Sequence, residues 1–494
     1  MRKGFSQQLA INITPIGEVV VPNLKRDHMV NLLASLQHLY KDKNLSEKVE
    51  SILRKSINTK KKAVGRTGLS LWEIFVFGQL RLCMNTSYDQ LLNLGNFHHL
   101  LRGILGVGTT DYTPGKAYTR QSIYDNVTLL DNEAIRQINE QIVEMGHGVF
   151  KKKEAEALRL KTDSFVVETD TYFPTDYRLL YDSGRKCLEI IGRLQKEHRF
   201  VGWRQWKDFR KKLKSLYRSF GRATSGGGRN KAEREAVGCA NYLATAKQLR
   251  GKVATFLTGQ SLALTSTKDI VSIIELEWYA QMLDKHIDLL ERRIVKGEKI
   301  PQQEKMFSIF QPFTEWINKG KMNPSVEIGK KLFVTTDQFH LIVDHQIGEH
   351  QTDSDAIVGI LNRIHKKYTH IASLSTDKGF STKGNKTLIG LAHPEIALMM
   401  PKKGKRNQQE EQQEKSKIFR KLNNAHNAIE SNINELENRG LDRCPDRSVA
   451  AFGKYVSLAV SAYNLHKIGK ELISIRVKKE KKQKEKEKRL RMAA

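Results

Sequence analysis

Three carboxylates of this 494-residue chain stand beside apolar segments, where an ionised side chain is costly unless it is paired or bound to a metal. Asp163 lies inside the β-rich segment LRLKTDSFVVETDTYFP. Asp377 follows the predicted strand IASLST, and the carboxyl end of a strand is where α/β sheets place ligands. Glu430 follows Ile429 on an amphipathic helix, so this helix can direct its carboxylate toward the strand ends.

Three converging oxygen donors of this kind suit Mg²⁺ or Mn²⁺. Two such ions, about 3.5–4 Å apart, can activate a water or hydroxyl and stabilise a leaving oxygen. On a basic protein, the substrate that this chemistry predicts is a phosphodiester. For any single acid among the 54 Asp and Glu residues, a helix cap or a salt bridge remains the simpler interpretation. Spacing alone therefore leaves metal-dependent nuclease chemistry as a hypothesis.

Other kinds of site find little support in the sequence. There is no GxSxG, no P-loop and no GxGxxG after a strand, which argues against serine hydrolases, NTPases and dinucleotide enzymes. The histidines show no metal-ligand spacing such as HExxH, and the four cysteines lie far apart without a CxxC pair. Neither a zinc site nor a disulfide framework is therefore predicted.

The formal net charge of +30 is concentrated in two short segments. Between Ser183 and Lys231 there are 15 Lys and Arg against 3 Asp and Glu, and between Arg476 and Arg491 there are 10 against 3. Such a surplus excludes most ordinary metabolic enzymes and suits a polyanionic partner, because neutralised phosphates release counterions. We predict that the first segment binds nucleic acid, whereas the second fits a solvated charged face equally well.

No membrane or secretory segment is predicted. The N-terminus lacks the continuous apolar core of a signal peptide, and no apolar run approaches the roughly 20 residues that span a bilayer. We therefore expect a soluble, intracellular protein.

The elements that must position the three carboxylates alternate between helical and β-rich segments. Short N-terminal helices with Ser70 and Ser87 as N-caps are compatible with a helix-turn-helix-like DNA-binding unit. A β-rich segment from about Leu158 precedes a long helical stretch to about Lys330. Strands then return as a hairpin over residues 332–347 and as two later strands, and helices finish the chain. This order predicts an α/β or α+β sheet with covered faces.

Around the three carboxylates the sequence resembles the DDE-type insertion-sequence transposases, especially the ISNCY-type group. TDSFVVETDTYFPTDYRLLYDSGRK resembles their first-aspartate block, and STDKGFSTKGN resembles the second. HNAIESNINELENRGLDRCPDR, followed by YVSLAVSAYNLHKIG, is similar to their long and specific glutamate block. GRTGLSLWEIFVFGQLRLCMNTSYDQLL resembles their N-terminal helical domain. Together these segments cover most of the chain outside the helical stretch and the C-terminal tail.

The resemblance implies an α/β fold with an RNase H-like mixed sheet, flanking helices, an N-terminal all-helical domain and a helical insertion in the core. Asp163 on the first strand, Asp377 at the fourth and Glu430 on a following helix would be the catalytic residues and metal ligands. The expected domains are an N-terminal segment (1–64), a helical DNA-binding domain (65–155), the first part of the catalytic core (156–182), a basic helical insertion (183–330), the second part of the core (331–475) and a basic tail (476–494).

Neighbouring acids compete with this assignment, namely Glu168, Asp170, Asp176, Glu435 and Glu437. Asp170 and Asp176 lie near or beyond Pro174, where the strand should end, and the family pattern places the metal ligand at Asp163.

The chain departs from some related transposases in the glutamate block. Those proteins carry Tyr and Arg before the glutamate and Lys seven residues after it, where this sequence has Asn423, His426 and Glu437. The Lys would contact a DNA phosphate, and this role can pass to Arg439, Arg443 or Arg447.

At the start of the insertion, Trp203, Trp206, Phe209 and Tyr217 interleave with Lys and Arg. Aromatic rings can stack on exposed bases while cations hold phosphates, although the rings can equally form the insertion's own core. The DNA contacts predicted along the chain are Arg185, Lys186, Trp203, Arg204, Lys207, Arg210, Lys211, Lys214, Arg218, Lys378, Lys402, Lys403, Arg439, Arg443 and Arg447.

The implied function is that of a transposase that binds the terminal inverted repeats of its element. Two Mg²⁺ (or Mn²⁺) ions per active site would serve cleavage of the DNA ends and joining of the 3′-hydroxyl to target DNA. The expected partner is double-stranded DNA, bound by a homodimer or larger assembly that is cytoplasmic, nucleoid-associated and prokaryotic. Two alternatives stay open: a transposase-derived DNA-binding protein without catalysis, and a metal-dependent DNA nuclease.

Overall fold

The computed structural model of the protein describes residues 2–7, 13–58, 68–108, 116–318 and 325–493. Its chain divides into two compact units, the first made of Met1–Asp170 and Lys319–Ala494 and the second of Thr171–Asn318. The helical insertion was expected at residues 183–330, whereas the corresponding unit begins at Thr171 and ends at Asn318. The N-terminal helices, expected as a separate domain over 65–155, belong to the same unit as the sheet; residues 65–67 and 109–115 lie outside the described part.

The chain begins with helices whose starts are fixed by polar caps. Ser70 accepts a hydrogen bond from the backbone N–H of Glu73, whose carboxylate accepts one from the N–H of Ser70, and Ser87 forms the same capping box with Gln90. Both predicted N-caps are confirmed. The elements of this part are α1 (His28–Lys41), α2 (Lys43–Asn58), α3 (Leu71–Cys83), α4 (Tyr88–Phe97), α5 (His99–Leu105), α6 (Arg120–Val127), α7 (Asn132–Val149) and β1 (Leu158–Thr169).

The second unit is mainly helical. Its long helices pack around one apolar core that includes Leu188, Leu213 and Leu249. Gly184 allows close packing here, since a Cβ at this position would lie 2.8 Å from Leu213. The elements are α8 (Asp176–His198), α9 (Trp206–Ser225), α10 (Lys231–Thr258), α11 (Thr267–Leu290) and the short strand β2 (Glu315–Asn318).

The chain then returns to the first unit with alternating strands and helices. The amphipathic stretch from Ile418 to Leu436 forms two helices that meet at Asn427. The elements are β3 (Val326–Thr336), β4 (Ile342–Ile347), α12 (Asp353–His365), β5 (Ile371–Thr376), α13 (Lys383–Ala392), β6 (Ala397–Met399), α14 (Gln408–Lys415), α15 (Lys417–His426), α16 (Ala428–Leu436), β7 (Arg443–Cys444) and α17 (Val449–Ala493).

The sheet of the first unit is mixed, with β1 at its centre. Its strands follow the order β4-β3-β1-β5-β6, and β7 pairs with the end of β1. The pairs β1–β3 and β3–β4 are antiparallel, whereas β1–β5, β5–β6 and β1–β7 are parallel. The predicted hairpin is confirmed, with Leu332 opposite Ile347, although its turn is longer than the two residues expected.

Apolar residues of β1, β3 and β5 pack with the buried face of α12 to form the core beside the sheet. Helices α15 and α16 contact β5 and β1, and α7 and α17 contact β4. This arrangement gives a mixed α/β fold in which helices cover the sheet, as predicted.

The sequence predicts no disulfide framework, because its four cysteines lie far apart. All four cysteines are buried and free of disulfide bonds.

Among the described residues, no helix combines the length and apolar character needed to cross a membrane. Helix α17 continues through the segment expected as a basic tail, and its exposed part carries the lysines beyond Arg476.

Candidate active site

Asp163 and Asp377 are brought together by the parallel pairing of β1 with β5. Thr162 lies opposite Thr376 in this pairing; Asp163 is the next residue of β1, and Asp377 is the first residue after β5. Because neighbouring strands are about 4.8 Å apart, the two carboxylates leave the backbone from adjacent positions. Strand β5 ends at Thr376 and β7 pairs with β1 only at Glu168 and Thr169, so Asp163 lies beside the gap between them.

Glu430 is held near this gap by helix α16. Ile429, Ile433 and Leu436 are buried, and the helix contacts β1, while Glu430 itself is exposed in the first turn. Its charge acts on Asp163, as described next. The three residues predicted as a catalytic set therefore lie in one region of the first unit.

The pKa of the Asp163 carboxyl is raised to about 6. Burial is the main cause, and the negative charges of Asp377, Asp353 and Glu430 act in the same direction, against a hydrogen bond from the N–H of Ser164. Among the described residues, no Lys or Arg lies within 4 Å of the Asp163, Asp377 or Glu430 carboxylates. Mutual repulsion without a neutralising side chain is the condition that a bound cation relieves.

Asp353 is a fourth carboxylate of the region, and sequence reasoning missed it. It lies at the start of α12, where its Oδ1 accepts hydrogen bonds from Ser164 Oγ at 2.7 Å and Lys331 Nζ at 2.9 Å. Gly379, two residues beyond Asp377, has no space for a side chain, because a Cβ there would lie 2.6 Å from Asp353 Oδ2. Asp353 thus connects β1 to the loop that carries Asp377.

The competing acids Asp170, Asp176 and Glu435 are ion-paired. Asp170 is 3.0 Å from Arg443 and 3.5 Å from Arg447, and Asp176 is 2.7 Å from Arg293.

Of these three acids, Glu435 has the most ion-pair partners. Lys467 lies 2.7 Å away, Arg439 2.9 Å and His466 3.3 Å. Although burial opposes it, the hydrogen bond with His466 and the two cations hold the pKa of Glu435 well below its usual range. Of the last two competitors, Glu168 lies on β1 opposite Gly329, and Glu437 directly follows α16.

His426 lies four residues before Glu430 in the sequence. It is buried at the end of α15, and its Nδ1 lies 3.2 Å from Ser375 Oγ, two residues before Asp377. Burial lowers the pKa of His426 to about 4, against the opposing charge of Asp377, so the ring is neutral at pH 7. The contact between His426 and Ser375 thus joins α15 to β5, and the buried, neutral ring offers no cation at the surface.

The residues predicted to contact DNA differ in how far their side chains are exposed to solvent. Trp203 is only 4% exposed within the core of the second unit, which agrees with the alternative that these aromatics are core residues. Arg439 is 4% exposed and bonds the Cys83 carbonyl and Glu435, so its guanidinium is not available at the surface. A DNA contact at Trp203 or Arg439 is thus contradicted by their burial.

The other predicted contacts differ in how freely their charges face solvent. Arg185, Lys186, Arg210 and Lys402 are half-buried, and Arg185, Arg210 and Lys402 are ion-paired with acids. Lys403 donates to the carbonyl of Gly379 in the loop beyond Asp377. The residues that are exposed are Arg204, Lys207, Lys211, Lys214, Arg218, Lys378, Lys403, Arg443 and Arg447.

An open groove on the second unit gathers several of these cations. Its volume is about 770 Å³, and its lining includes Lys211, Lys214, Arg218 and Arg222 together with the rings of Tyr177 and Tyr217. Tyr181 stacks on Tyr217 at a centroid distance of 4.7 Å, so the aromatic lining is supported from below. Arg222 and Tyr177 were not among the predicted contacts.

The described residues therefore define a mixed α/β protein that carries a cluster of carboxylates beside the carboxyl end of strand β5. No family model, curated protein or solved structure matches this chain.

Proposed function

We propose that this protein is a DDE-type DNA transposase with an RNase H-like catalytic core. The strand order supports the core assignment: the first three strands of the first unit's sheet form an antiparallel meander, and the fourth and fifth add in parallel beside the first. Asp163 on the first strand, Asp377 after the fourth and Glu430 on a later helix agree with the positions that the sequence resemblance implies.

The observation that carries the proposal is the meeting of Asp163, Asp377 and Glu430 from distant parts of the sequence. Asp163 and Asp377 follow paired residues of adjacent strands, and the Glu430 charge acts on Asp163. Acids that merely cap or stabilise the fold, such as Asp170 and Glu435, have cationic partners instead.

The donor set fits a hard divalent cation. Its members are carboxylate oxygens, which Mg²⁺ and Mn²⁺ prefer. Burial is the main cause of the raised pKa of Asp163, and the nearby negative charges that add to it are ones that a cation would neutralise. Asp163 and Asp377 would hold the metal, and Glu430 would complete the site. When bound, two such ions supply Lewis-acid activation of a water or 3′-hydroxyl and stabilise the leaving oxygen.

The chain's own residues would position the DNA for this chemistry. Lys378, next to Asp377, and Lys403, bound to Gly379, bring positive charge to the carboxylate loop, where DNA phosphates must approach. The basic groove of the second unit, with exposed cations beside Tyr217, provides a second surface of suitable charge. Catalysis would come from positioning and charge stabilisation, without a covalent enzyme intermediate.

The test compares wild type with Asp163→Asn, Asp377→Asn and Glu430→Gln on labelled DNA carrying the element's ends, in Mg²⁺. Glu411→Gln is the matched control, because Glu411 is an exposed acid that pairs with Lys415 on α14. Each of the three site variants should lose about 10³-fold or more in cleavage and joining while retaining DNA binding, and the control should keep both activities.

Three outcomes would contradict the proposal in different ways. Site variants that cleave as well as wild type would mean that other acids hold the metal. Wild-type protein that protects the ends in footprinting but never cuts them would be a non-catalytic DNA-binding protein. Cleavage without protection of a defined sequence, and without joining, would indicate a nuclease.

A further inference from the structure

Two histidines and a glutamate meet at the C-terminal end of helix α12. The ligand-bearing atoms of His365, His393 and Glu395 all lie within 4.8 Å of one another. We propose that His365 Nε2, His393 Nδ1 and Glu395 Oε1 bind one transition-metal ion of the Zn²⁺ class. This site is independent of the carboxylates around Asp163.

The distances favour a metal over direct hydrogen bonding among the three side chains. His365 Nε2 lies 3.7 Å from Glu395 Oε1, and His393 Nδ1 lies 3.8 Å from the same oxygen. Both separations exceed those of hydrogen bonds, which are about 2.7–3.2 Å. Ligand atoms about 2.0–2.1 Å from a tetrahedral zinc ion are about 3.3–3.4 Å apart, so small side-chain rotations would complete the site.

His393 is already oriented as a metal ligand. It is buried, and its Nε2 lies 3.1 Å from Asn362 Oδ1. In the tautomer whose Nε2–H donates to this oxygen, Nδ1 presents its lone pair. A polar partner on the second ring nitrogen is the usual companion of a metal-bound histidine, because it fixes the ring and its tautomer.

The backbone holds His393 and Glu395 in a stiff pair. They flank Pro394, whose ring fixes its own φ and restricts the preceding residue. His393 N–H also donates to the carbonyl of Ile389, and Ile396 N–H donates to that of His393. The sequence His-Pro-Glu is thus tied at both ends, and little ordering remains to be done when a metal binds.

The electrostatic field of the neighbouring helix ends also favours a bound cation. Helix α12 ends at His365 and α13 ends at Ala392, so two helix C-termini, each carrying roughly −0.5 of a charge, lie beside the site. Among the described residues, no Lys or Arg lies within 4 Å of Glu395. Its carboxylate therefore remains available to neutralise a metal ion.

The ligand types select the metal. Two imidazole nitrogens with one carboxylate oxygen suit zinc and its neighbours among the transition metals, whereas Mg²⁺ prefers oxygen ligands alone. Glu395 is 52% exposed and His365 35% exposed, so a solvent molecule can reach the fourth coordination position. The ion would join the end of α12 to the segment that leads into β6.

A second His–acid group provides a matched control. His198 lies 3.2 Å from Asp269, and the neighbouring Glu197 is bound to Lys268 at 2.6 Å. Asp269 Oδ2 also accepts a hydrogen bond from Ser266 Oγ at 2.6 Å, and Glu197 is neutralised by Lys268, so this group should not hold a metal.

The experiment titrates metal-free, full-length protein with Co²⁺ at pH 7.5 in excess Mg²⁺, and follows the visible d–d absorption. Wild type, Asp163→Asn and His198→Ala should each bind one Co²⁺, which one equivalent of Zn²⁺ displaces. His393→Ala, His365→Ala and Glu395→Gln should weaken this binding at least 100-fold. The last two residues are partly exposed, so these variants are expected to fold, and circular dichroism checks that they do.

The proposal is overturned if wild type shows no such absorption, or if the His365→Ala and His393→Ala variants keep it. It is also overturned if Asp163→Asn or His198→Ala removes the signal, since the ion would then lie at another site.

Discussion

Asp163 on β1 and Asp377 directly after β5 occupy equivalent positions in the sheet, because each follows one member of the backbone pair Thr162 and Thr376. Two acids in adjacent strands repel each other unless something positive lies between them. The fold thus sets a negative site at the end of β5, and burial of Asp163 increases the cost of its charge.

Asp163→Asn is expected to stabilise the metal-free protein. The pKa of Asp163 rises on folding from 3.8 to about 6, so the folded state takes up a proton between these values that the unfolded state does not. The electrostatic cost is therefore absent below pH 4, grows as the pH rises and is complete above pH 6. Partial exposure to solvent reduces the gain to about 1–2 kcal/mol.

Thermal unfolding in EDTA between pH 4 and pH 8 measures this effect. The melting temperature of the variant should match that of wild type near pH 4 and exceed it above pH 6. Added Mg²⁺ should raise the melting temperature of wild type more than that of the variant. A constant difference across the pH range would contradict the proposed origin of the effect.

Gly379→Ala should impair catalysis through the position of Asp377. The new Cβ would lie 2.6 Å from Asp353 Oδ2, so either the loop must move or the Asp353 carboxylate must turn away from its bonds with Ser164 and Lys331. A displacement of about 1 Å can cost about 10²-fold in rate, and we expect a loss of this order in DNA cleavage with little change in binding. Gly390→Ala on α13 is the control, because nothing lies within 4 Å of its Cβ position. Equal activity of the two variants would show that the Gly379 contact does not position the site.

The local elements could be predicted because their signals are short-range. Ser70 and Ser87 stand directly before their helices and bond to residues only three positions later, and the apolar pattern over residues 332–347 predicts a hairpin. Asp163, Asp377 and Glu430 could be predicted as candidates because these acids interrupt or follow apolar runs.

The rest depends on contacts between distant residues, which spacing does not encode. Asp353 joins the site through Ser164, Lys331 and Gly379, which lie on other elements. His365 and His393 are separated by a strand and a helix, so no short motif contains them. The aromatic spacing around Trp203 fits a buried helix face as well as a stacking surface, and the structure places Trp203 in the core.

Glu430 and Glu435 lie on the same helix, and their substitution should have opposite consequences. Glu435→Gln should destabilise the fold by about 3 kcal/mol, because it leaves the buried Arg439 without its carboxylate. The folded-state pKa of Glu435 lies below the ordinary value of 4.5, so its contribution is present above that pH and is lost as the pH falls. Chemical denaturation at pH 7 and pH 4 tests both statements. Glu430→Gln should leave stability nearly unchanged; the reverse pattern would exchange the roles of the two glutamates.

The exposed cations of α9 should account for part of the salt dependence of DNA binding. Lys214 and Arg218 line the groove of the second unit, so the double variant Lys214→Ala/Arg218→Ala should weaken binding similarly for all sequences. The slope of log K against log salt should become shallower by about 2, since each lost phosphate contact removes about one. Arg185→Ala is the control, because Arg185 is already paired with Asp182 and Glu189 and should leave the slope unchanged. Fluorescence anisotropy from 50 to 200 mM salt measures the slopes. If the double variant keeps the wild-type slope, DNA does not enter this groove, and the cations near Asp377 become the contacts to test next.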